Sequence, residues 1–246
     1  MNDKEQEILD VLSKSYSNVS IQELANRLYL SVATVRRHLA SLAEKGLIIR
    51  THGGAEINYN LVPNASSPIQ HRIGTMSAAK NLIAKNAAVF LQDGFTVFLD
   101  HSSTAYHLLP YLRSFHNLTV FTNSIKTTLA LAEMNISTIA SGGNVCSSTL
   151  ACCGSDAIEN VKKINADILF FSCDALSDEG VLSDNSSDSC YLRRQFMENA
   201  KIKVLLLDST KLHKTKKFTL CSLKDVNYCI CNDELPPACK QLLPNR

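Results

Sequence analysis

The chain has 246 residues, of which 45% are hydrophobic and 20% charged, enough apolar material for a packed core and too much for wholesale disorder. Its 25 Lys and Arg against 23 Asp and Glu leave a net charge of +2, which does not by itself announce a nucleic-acid binder. Glycine is scarce at 9 residues, and no G-x-G-x-x-G or G-x-x-x-x-G-K-[ST] run occurs, so dinucleotide and P-loop chemistry have no support and no cofactor is expected.

Residues 1–7 are polar and mostly acidic, which is not the grammar of a signal peptide. No apolar run approaches the roughly 18 residues that a membrane span needs. The 9 cysteines are odd in number and include no C-x-x-C, so reduced thiols in a cytoplasm, packed as small hydrophobes, are expected rather than disulfides or a metal site.

Residues 1–57 read as three helices and a hairpin. Ile8, Leu9 and Leu12 give the first helical stripe. Ser20 with Glu23 forms a capping-box signature ahead of Ile21, Leu24, Ala25 and Leu28. After a break at Tyr29 and Leu30, Ser31 caps a third stripe of Val32, Val35, Leu39 and Leu42, which Gly46 ends. Strand-like runs at 47–50 and 55–57 then flank Thr51, His52, Gly53 and Gly54, a hairpin with glycine at its tip. Three short helices and a two-stranded wing describe a winged helix-turn-helix.

The third helix has a face suited to DNA. With its apolar stripe inward, Arg37 points away from the core, Ala33, Thr34, Ala40 and Ser41 share its face, and Arg36 and His38 flank it. Small residues around a central arginine let a helix lie close in a major groove while the arginine reaches base edges. Between 31 and 55 four basic residues, Arg36, Arg37, Lys45 and Arg50, stand against Glu44 alone, although residues 1–57 as a whole balance at seven against seven. The candidate DNA-contacting set is therefore Ser20, Ser31, Ala33, Thr34, Arg36, Arg37, His38 and Ser41, with Arg50, His52, Gly53 and Gly54 of the wing.

Residues 58–70, rich in Asn, Ser and Pro, read as a linker. From 71 to 246 the grammar is βαβα: a helix over 78–91, then near-continuous apolar runs at 95–99, 118–121, 136–140, 168–171, 204–207 and 228–231, as buried parallel strands read. An open, mainly parallel α/β domain follows.

Ligands bind such sheets beyond the carboxyl ends of the strands. Polar residues collect there: Asp100 with Ser102, Ser103 and Thr104; Thr122 and Asn123; Gly142 and Gly143; Asp208 with Lys211. Hydroxyls and free N–H groups at a helix start suit a phosphate, and Lys211 adds a point charge. A small phosphorylated polyol is the ligand class implied. The same parts would serve a sugar-phosphate isomerase with Asp100 or Asp208 as base; this segment alone leaves binder and enzyme open, and the DNA-type first domain favours the binder.

The stretches 19–25 and 31–39, the Gly46-to-Arg50 run and His52, Gly53, Gly54 and Ala55 resemble the DNA-binding domain of the DeoR family of bacterial transcriptional regulators. Asp100-x-Ser102-Ser103-Thr104, Thr122-Asn123, Gly142-Gly143, Gly154 and Asp208-x-Thr210-Lys211 fall where the motifs of that family's sensor domain fall, a domain related in fold to ribose-phosphate isomerases. The resemblance implies a sugar-operon repressor that binds double-stranded operator DNA and is released by a phosphorylated sugar, with no catalytic residues. Paired half-sites imply a homo-oligomer, a dimer or tetramer. The chain departs from the family pattern at His38, usually Asp, and at Ser102, Ser172 and Ala175, where small glycine turns are usual.

Overall fold

Local capping is where sequence and structure first meet. The computed structural model describes residues 3–15, 18–58 and 69–243. The Ser20 hydroxyl accepts the Glu23 N–H at 3.1 Å and the Ser31 hydroxyl accepts the Thr34 N–H at 3.1 Å, so both expected caps close helix starts. The chain divides into two units, Met1–Arg72 and Ile73–Arg246.

The first unit contains α1 (Asp3–Lys14), β1 (Val19–Ser20), α2 (Ile21–Leu28), α3 (Val32–Glu44), β2 (Ile48–Thr51) and β3 (Gly54–Ile57). Ile8, Leu12, Leu24, Val35, Leu39 and Leu42 fill its core. Tyr29 ends α2 with φ of 53°, a left-handed turn that sends the chain into α3. The wing is tighter than the spacing suggests: Thr51 pairs with Gly54, leaving His52 and Gly53 as a two-residue loop. A third strand, β1, joins it in the order β1-β3-β2. Two residues are too few to show any periodicity, so β1 had no signal in the sequence.

Of the linker expected over 58–70, residues 59–68 lie outside the described residues. Ile69 and Gln70 are already helical, in α4 (Ile69–Gly74).

The second unit continues with α5 (Ser77–Ala87), β4 (Thr96–Leu99), α6 (Ser103–Tyr106), α7 (Leu109–Leu112), β5 (Thr119–Thr122), α8 (Ile125–Glu133) and β6 (Ser137–Ala140). Then follow β7 (Asn144–Cys146), β8 (Ala151–Cys153), α9 (Ser155–Lys162), β9 (Ala166–Phe171), β10 (Ala175–Leu176), β11 (Val181–Asp184), α10 (Ser187–Glu198), β12 (Ala200–Leu207), β13 (Phe218–Ser222), β14 (Tyr228–Cys231) and α11 (Pro237–Leu242). All six apolar runs become strands of one parallel sheet, ordered β14-β12-β9-β4-β5-β6.

Successive residues of these strands enter different cores, which is why the runs are apolar throughout. Val97, Leu99, Val120, Ile168, Phe170, Val204 and Leu206 pack on one face with Ile83 and Leu131 from α5 and α8. Phe98, Phe121, Leu169, Phe171, Leu205 and Leu207 pack on the other with Ala157 and Phe196 from α9 and α10. Phe98, Phe121 and Phe196 meet with ring centroids 4.9–6.0 Å apart; truncating one such ring to alanine costs about 3–5 kcal/mol. No described helix is long and apolar enough to cross a membrane.

The strand order places the site. From β4 the chain moves outward through β5 and β6, then returns to the opposite side of β4 with β9, β12 and β14. The order therefore reverses between β4 and β9, and the crevice beyond their carboxyl ends is the topological switch point. The antiparallel sheet β10-β11-β13 and the β7-β8 hairpin were not anticipated. Their strands are two to five residues long, too short to show a pattern, and β11 finds its second partner, β13, only across distant sequence.

Candidate functional site

Helix α3 presents Ala33, Arg36 and Arg37 to solvent, with Thr34 half-buried beside them. Ser31 is exposed, and its hydroxyl also lies 2.8 Å from that of Thr34. In the wing Arg50, His52 and Gly53 are exposed, as is Ser20 at the start of α2.

Three expected contact residues face elsewhere. His38 is 7% exposed, because Val35, His38, Leu39 and Leu42 form one i, i+3, i+4, i+7 stripe toward the core. Ser41 donates to the Glu5 carboxylate at 2.7 Å, and Lys45 reaches the other oxygen of that buried acid at 2.7 Å, so this end of α3 clamps α1. Gly54 is buried, and a Cβ there would stand 2.4 Å from the Val19 carbonyl oxygen. It is glycine because β1 passes close by. Gly53, with φ of +86° and open space around it, is the glycine the turn itself requires. Tyr29, in the turn before α3 and not among the expected contacts, is 96% exposed.

In the second unit Asp100, at the end of β4, is fully buried, and its carboxylate is taken up by the protein. It accepts from the Ser102 N–H at 3.0 Å, the Ser172 N–H at 3.3 Å and Arg193 Nε at 2.7 Å. Arg193 Nη1 also reaches Asp184 at 2.5 Å. Burial raises the Asp100 carboxyl, but the Arg193 guanidinium, His101 and the Ser102 hydrogen bond outweigh it and hold the group below the ordinary carboxylate range. Asp184 moves the opposite way on the same guanidinium. Burial raises it, and the like charge of Asp174 adds to the rise. Asp100 was expected as a sugar ligand or base; it is instead the buried anchor joining the ends of β4 and β9 to α10.

Ser102 does not need a glycine's freedom. Its φ is −71°, and its hydroxyl caps α6 by accepting the Ala105 N–H at 3.1 Å. Ser172 and Ala175 also lie outside the left-handed region. The Ser172 hydroxyl donates to the Leu206 carbonyl at 2.6 Å and accepts from Lys211 Nζ at 2.7 Å, so this departure ties β9 to β12.

Asp208 and Lys211 are brought together at 3.7 Å. Burial raises the Asp208 carboxyl, but Lys211 and its hydrogen bonds with Thr210 lower it further. Lys80 of α5, which the sequence reading passed over, is 4% exposed and places Nζ 3.1 Å from the Ser103 hydroxyl. Its charge also lowers Asp208. A lysine inside a helical stripe reads as a solvated position, and only the packing of α5 against the sheet turns it inward.

Thr122 caps the next turn, its hydroxyl accepting the Ser124 N–H at 3.1 Å. Asn123 donates to the Cys152 carbonyl at 3.1 Å. Its Oδ1, and Thr104 Oγ1, are buried with no hydrogen-bond partner among the described residues. Gly142 and Gly143 lie at the end of β6 and are exposed, both at positive φ; a Cβ on Gly143 would stand 2.5 Å from the Cys153 carbonyl oxygen. They shape the turn from β6 into the β7-β8 hairpin. The structure thus links Lys80 with Ser103 and with Asp208, and Lys211 with Ser172 and Asp208, leaves Thr104 and Asn123 buried at the ends of β4 and β5, and sets Asp100, Ser102, Thr122, Gly142 and Gly143 to structural tasks.

Residues 4–60 match the model of the DeoR-like helix-turn-helix domain, and residues 75–233 that of the DeoR C terminal sensor domain. The L-fucose operon activator of Haemophilus influenzae is 32% identical over 237 residues, covering 96% of this chain and 94% of its own. The HTH-type transcriptional repressor CsqR of Escherichia coli is 30% identical over 235 residues, covering 95% and 88%. Among solved structures, the translation initiation factor eIF-2B of Pyrococcus horikoshii overlays with a TM-score of 0.51 at 12% identity, over 96% of this chain and 98% of its own. Ribose 5-phosphate isomerase from Plasmodium falciparum overlays with a TM-score of 0.43 at 16% identity, over 57% of this chain and 54% of its own. With both family models matched in order along nearly the whole chain, and relatives of that kind aligned end to end, the protein belongs to the DeoR family of DNA-binding transcriptional regulators.

Proposed function

We propose that the protein controls a sugar-metabolism operon from the cytoplasm, reading operator DNA as a homo-oligomer through α3 and the wing, and that a phosphorylated sugar in the switch-point crevice releases it. Arg37 and Arg36 read base edges, Arg50 and His52 hold the sugar-phosphate backbone, and Ser20, Ser31, Thr34 and Tyr29 line the approach. In the crevice Lys80, Lys211 and Ser103 hold the phosphate, and Thr104, Asn123 and Asp208 meet sugar hydroxyls.

The observation that carries the ligand half is the pair of unpartnered buried oxygens, Thr104 Oγ1, in the residue after the Lys80-bound Ser103, and Asn123 Oδ1, just past the end of the neighbouring strand β5. Buried polar atoms of native proteins find partners, and a sugar hydroxyl supplies one to each. An isomerase reading is disfavoured by Asp100: its carboxylate is fully buried, ion-paired with Arg193 and lowered below the ordinary range, which makes it a weak and inaccessible base.

A thermal-shift series with sugar phosphates beside their parent sugars tests this. A phosphorylated sugar is expected to raise Tm, corresponding to about 2.7 kcal/mol at a hundredfold excess over Kd, and to release operator in a gel shift. One relative is named an activator and the other a repressor; tightened rather than weakened operator binding would reverse the proposed sign. Indifference to every sugar phosphate would remove the ligand half.

A further inference from the structure

Ile73 to Met76 are the residues of the sensor unit by which the chain arrives from the DNA unit. Ile73 and Gly74 end α4, and Thr75 and Met76 join it to α5. Met76 has φ of 55° and ψ of 32°, the left-handed region that a residue with a side chain holds only where its surroundings impose it. No side chain caps the start of α5. Two buried side chains of the sensor unit hold this short joint instead.

The first is Lys80. Side chains on a helix lean toward its N-terminus, so a lysine near the start of α5 reaches back to the residues before it. Its backbone N–H donates to the Met76 carbonyl at 3.0 Å, while Nζ donates to the Thr75 carbonyl at 2.8 Å and to the Ser103 hydroxyl at 3.1 Å. One ammonium, 4% exposed, therefore touches both the joint and the start of α6. The second is His107, just after α6. Its Nε2 lies 3.0 Å from the Ile73 carbonyl, and its Nδ1 lies 2.8 Å from the Asn81 side-chain amide. Burial lowers the ring below the ordinary histidine value against the pull of the Ile73 hydrogen bond, and the Lys80 charge adds to the fall. A neutral ring has one N–H, and the Ile73 carbonyl can only accept, so the proton is on Nε2.

The two ends of the Lys80 contact respond differently to an anion. A phosphate offers the ammonium full negative charge, where the Thr75 carbonyl offers only a dipole. Lys211, the other crevice cation, bonds Ser172 and Asp208 and so bears on the ends of β9 and β12. We propose that Lys80 is the transmitter of the sensor: without ligand it latches the Thr75 carbonyl, beside the His107 latch on Ile73, and keeps the joint in its operator-binding arrangement, and an anion at Ser103 draws the ammonium off. The identity of that anion as a sugar phosphate rests on the crevice reading above; the latch itself does not.

The test is operator affinity of the full-length protein with no ligand added, by fluorescence anisotropy, beside hydrogen exchange of residues 73–79. Lys80→Met is expected to raise the operator Kd at least tenfold and to speed exchange in that segment, as the released state would. His107→Leu, which frees Ile73 and leaves the Lys80 contacts in place, is expected to act in the same direction. Lys85→Met removes the same charge from an exposed position of the same helix and is expected to change neither readout. Circular dichroism checks each fold, and should Lys80→Met not fold, His107→Leu decides alone. Wild-type affinity in a folded Lys80→Met or His107→Leu protein, lost affinity without faster exchange at 73–79, or an equal loss in Lys85→Met would each overturn the proposal. Because no ligand is present, such a failure removes the latch and leaves the crevice reading standing, whereas sugar phosphates that never raise Tm remove the crevice reading alone.

Discussion

Two carboxylates converge on one guanidinium inside the sensor unit: Arg193, 4% exposed, holds Asp100 through Nε and Asp184 through Nη1. Removing the cation leaves two buried acids without their shared counter-charge, one of them, Asp184, beside the like charge of Asp174. Arg193→Met is therefore expected to cost about 3–5 kcal/mol in a urea titration at neutral pH. The sign with pH follows from the directions of shift. Asp100 is lowered in the fold, so its contribution is complete above the ordinary carboxylate value and is lost as pH falls through the folded one. Asp184 is raised, so its contribution runs the other way, declining as pH rises above the ordinary value. Acid unfolding of the wild type should thus steepen below about pH 4, and Arg193→Met should flatten that limb. In the DNA unit Arg37 and His38 are chain neighbours with opposite tasks. Arg37→Ala is expected to lose about 1–3 kcal/mol of operator affinity at fixed salt with unchanged unfolding. His38→Ala should instead lower the unfolding midpoint, and a gel shift paired with a melting curve separates the two.

The wing shows how one element can contain two glycines for two reasons. Gly53 has φ of +86° with nothing near its missing Cβ, while Gly54 lies under the Val19 carbonyl and the Asn18 side chain. Strain in the first is local, about 1–2 kcal/mol for an alanine in the left-handed region. In the second a Cβ would displace backbone, pushing β1 from β3 and with it the start of α2, whose Ile21 N–H donates to the Gly53 carbonyl at 2.9 Å. Gly54→Ala is expected to destabilise by about 1–3 kcal/mol by thermal unfolding. It should also weaken operator binding, although Gly54 itself is buried. Operator affinity equal to wild type in a Gly54→Ala protein of lowered Tm would show that the β1 junction is not needed to aim the wing.

At the scale of the molecule, the proposed operator face and the proposed ligand crevice lie in separate units, so on this reading a ligand would release DNA only by binding the DNA-free state more tightly than the DNA-bound one. Lys211 belongs wholly to the second unit, where its Nζ bridges Ser172 and Asp208. Lys211→Ala is expected to bind operator as the wild type does, and to need at least tenfold more sugar phosphate for half-release, measured by fluorescence anisotropy of labelled operator. Normal release by this variant would move the phosphate away from the end of β12.

The sequence by itself determined the elements whose physics is local. Serine caps at Ser20 and Ser31, the stripes of α2 and α3, the wing with its glycine tip and all six parallel strands were legible, because capping, periodicity and continuous apolarity act over a few residues. The polar and turn-forming residues of the sequence do fall at one edge of that sheet, the carboxyl ends of its strands. What each polar residue does there was a tertiary decision. Asp100 and Arg193 are 93 positions apart, and only the return of the chain to β9 and α10 gives that aspartate a partner and withdraws it from ligand chemistry. Lys80 is pointed inward by α5 packing, His38 by the width of the α3 stripe, and Gly54 is explained by a two-residue strand with no pattern of its own. Periodicity assigns a residue to a face; whether that face meets solvent, a neighbouring helix or a buried charge depends on which distant segment is folded against it.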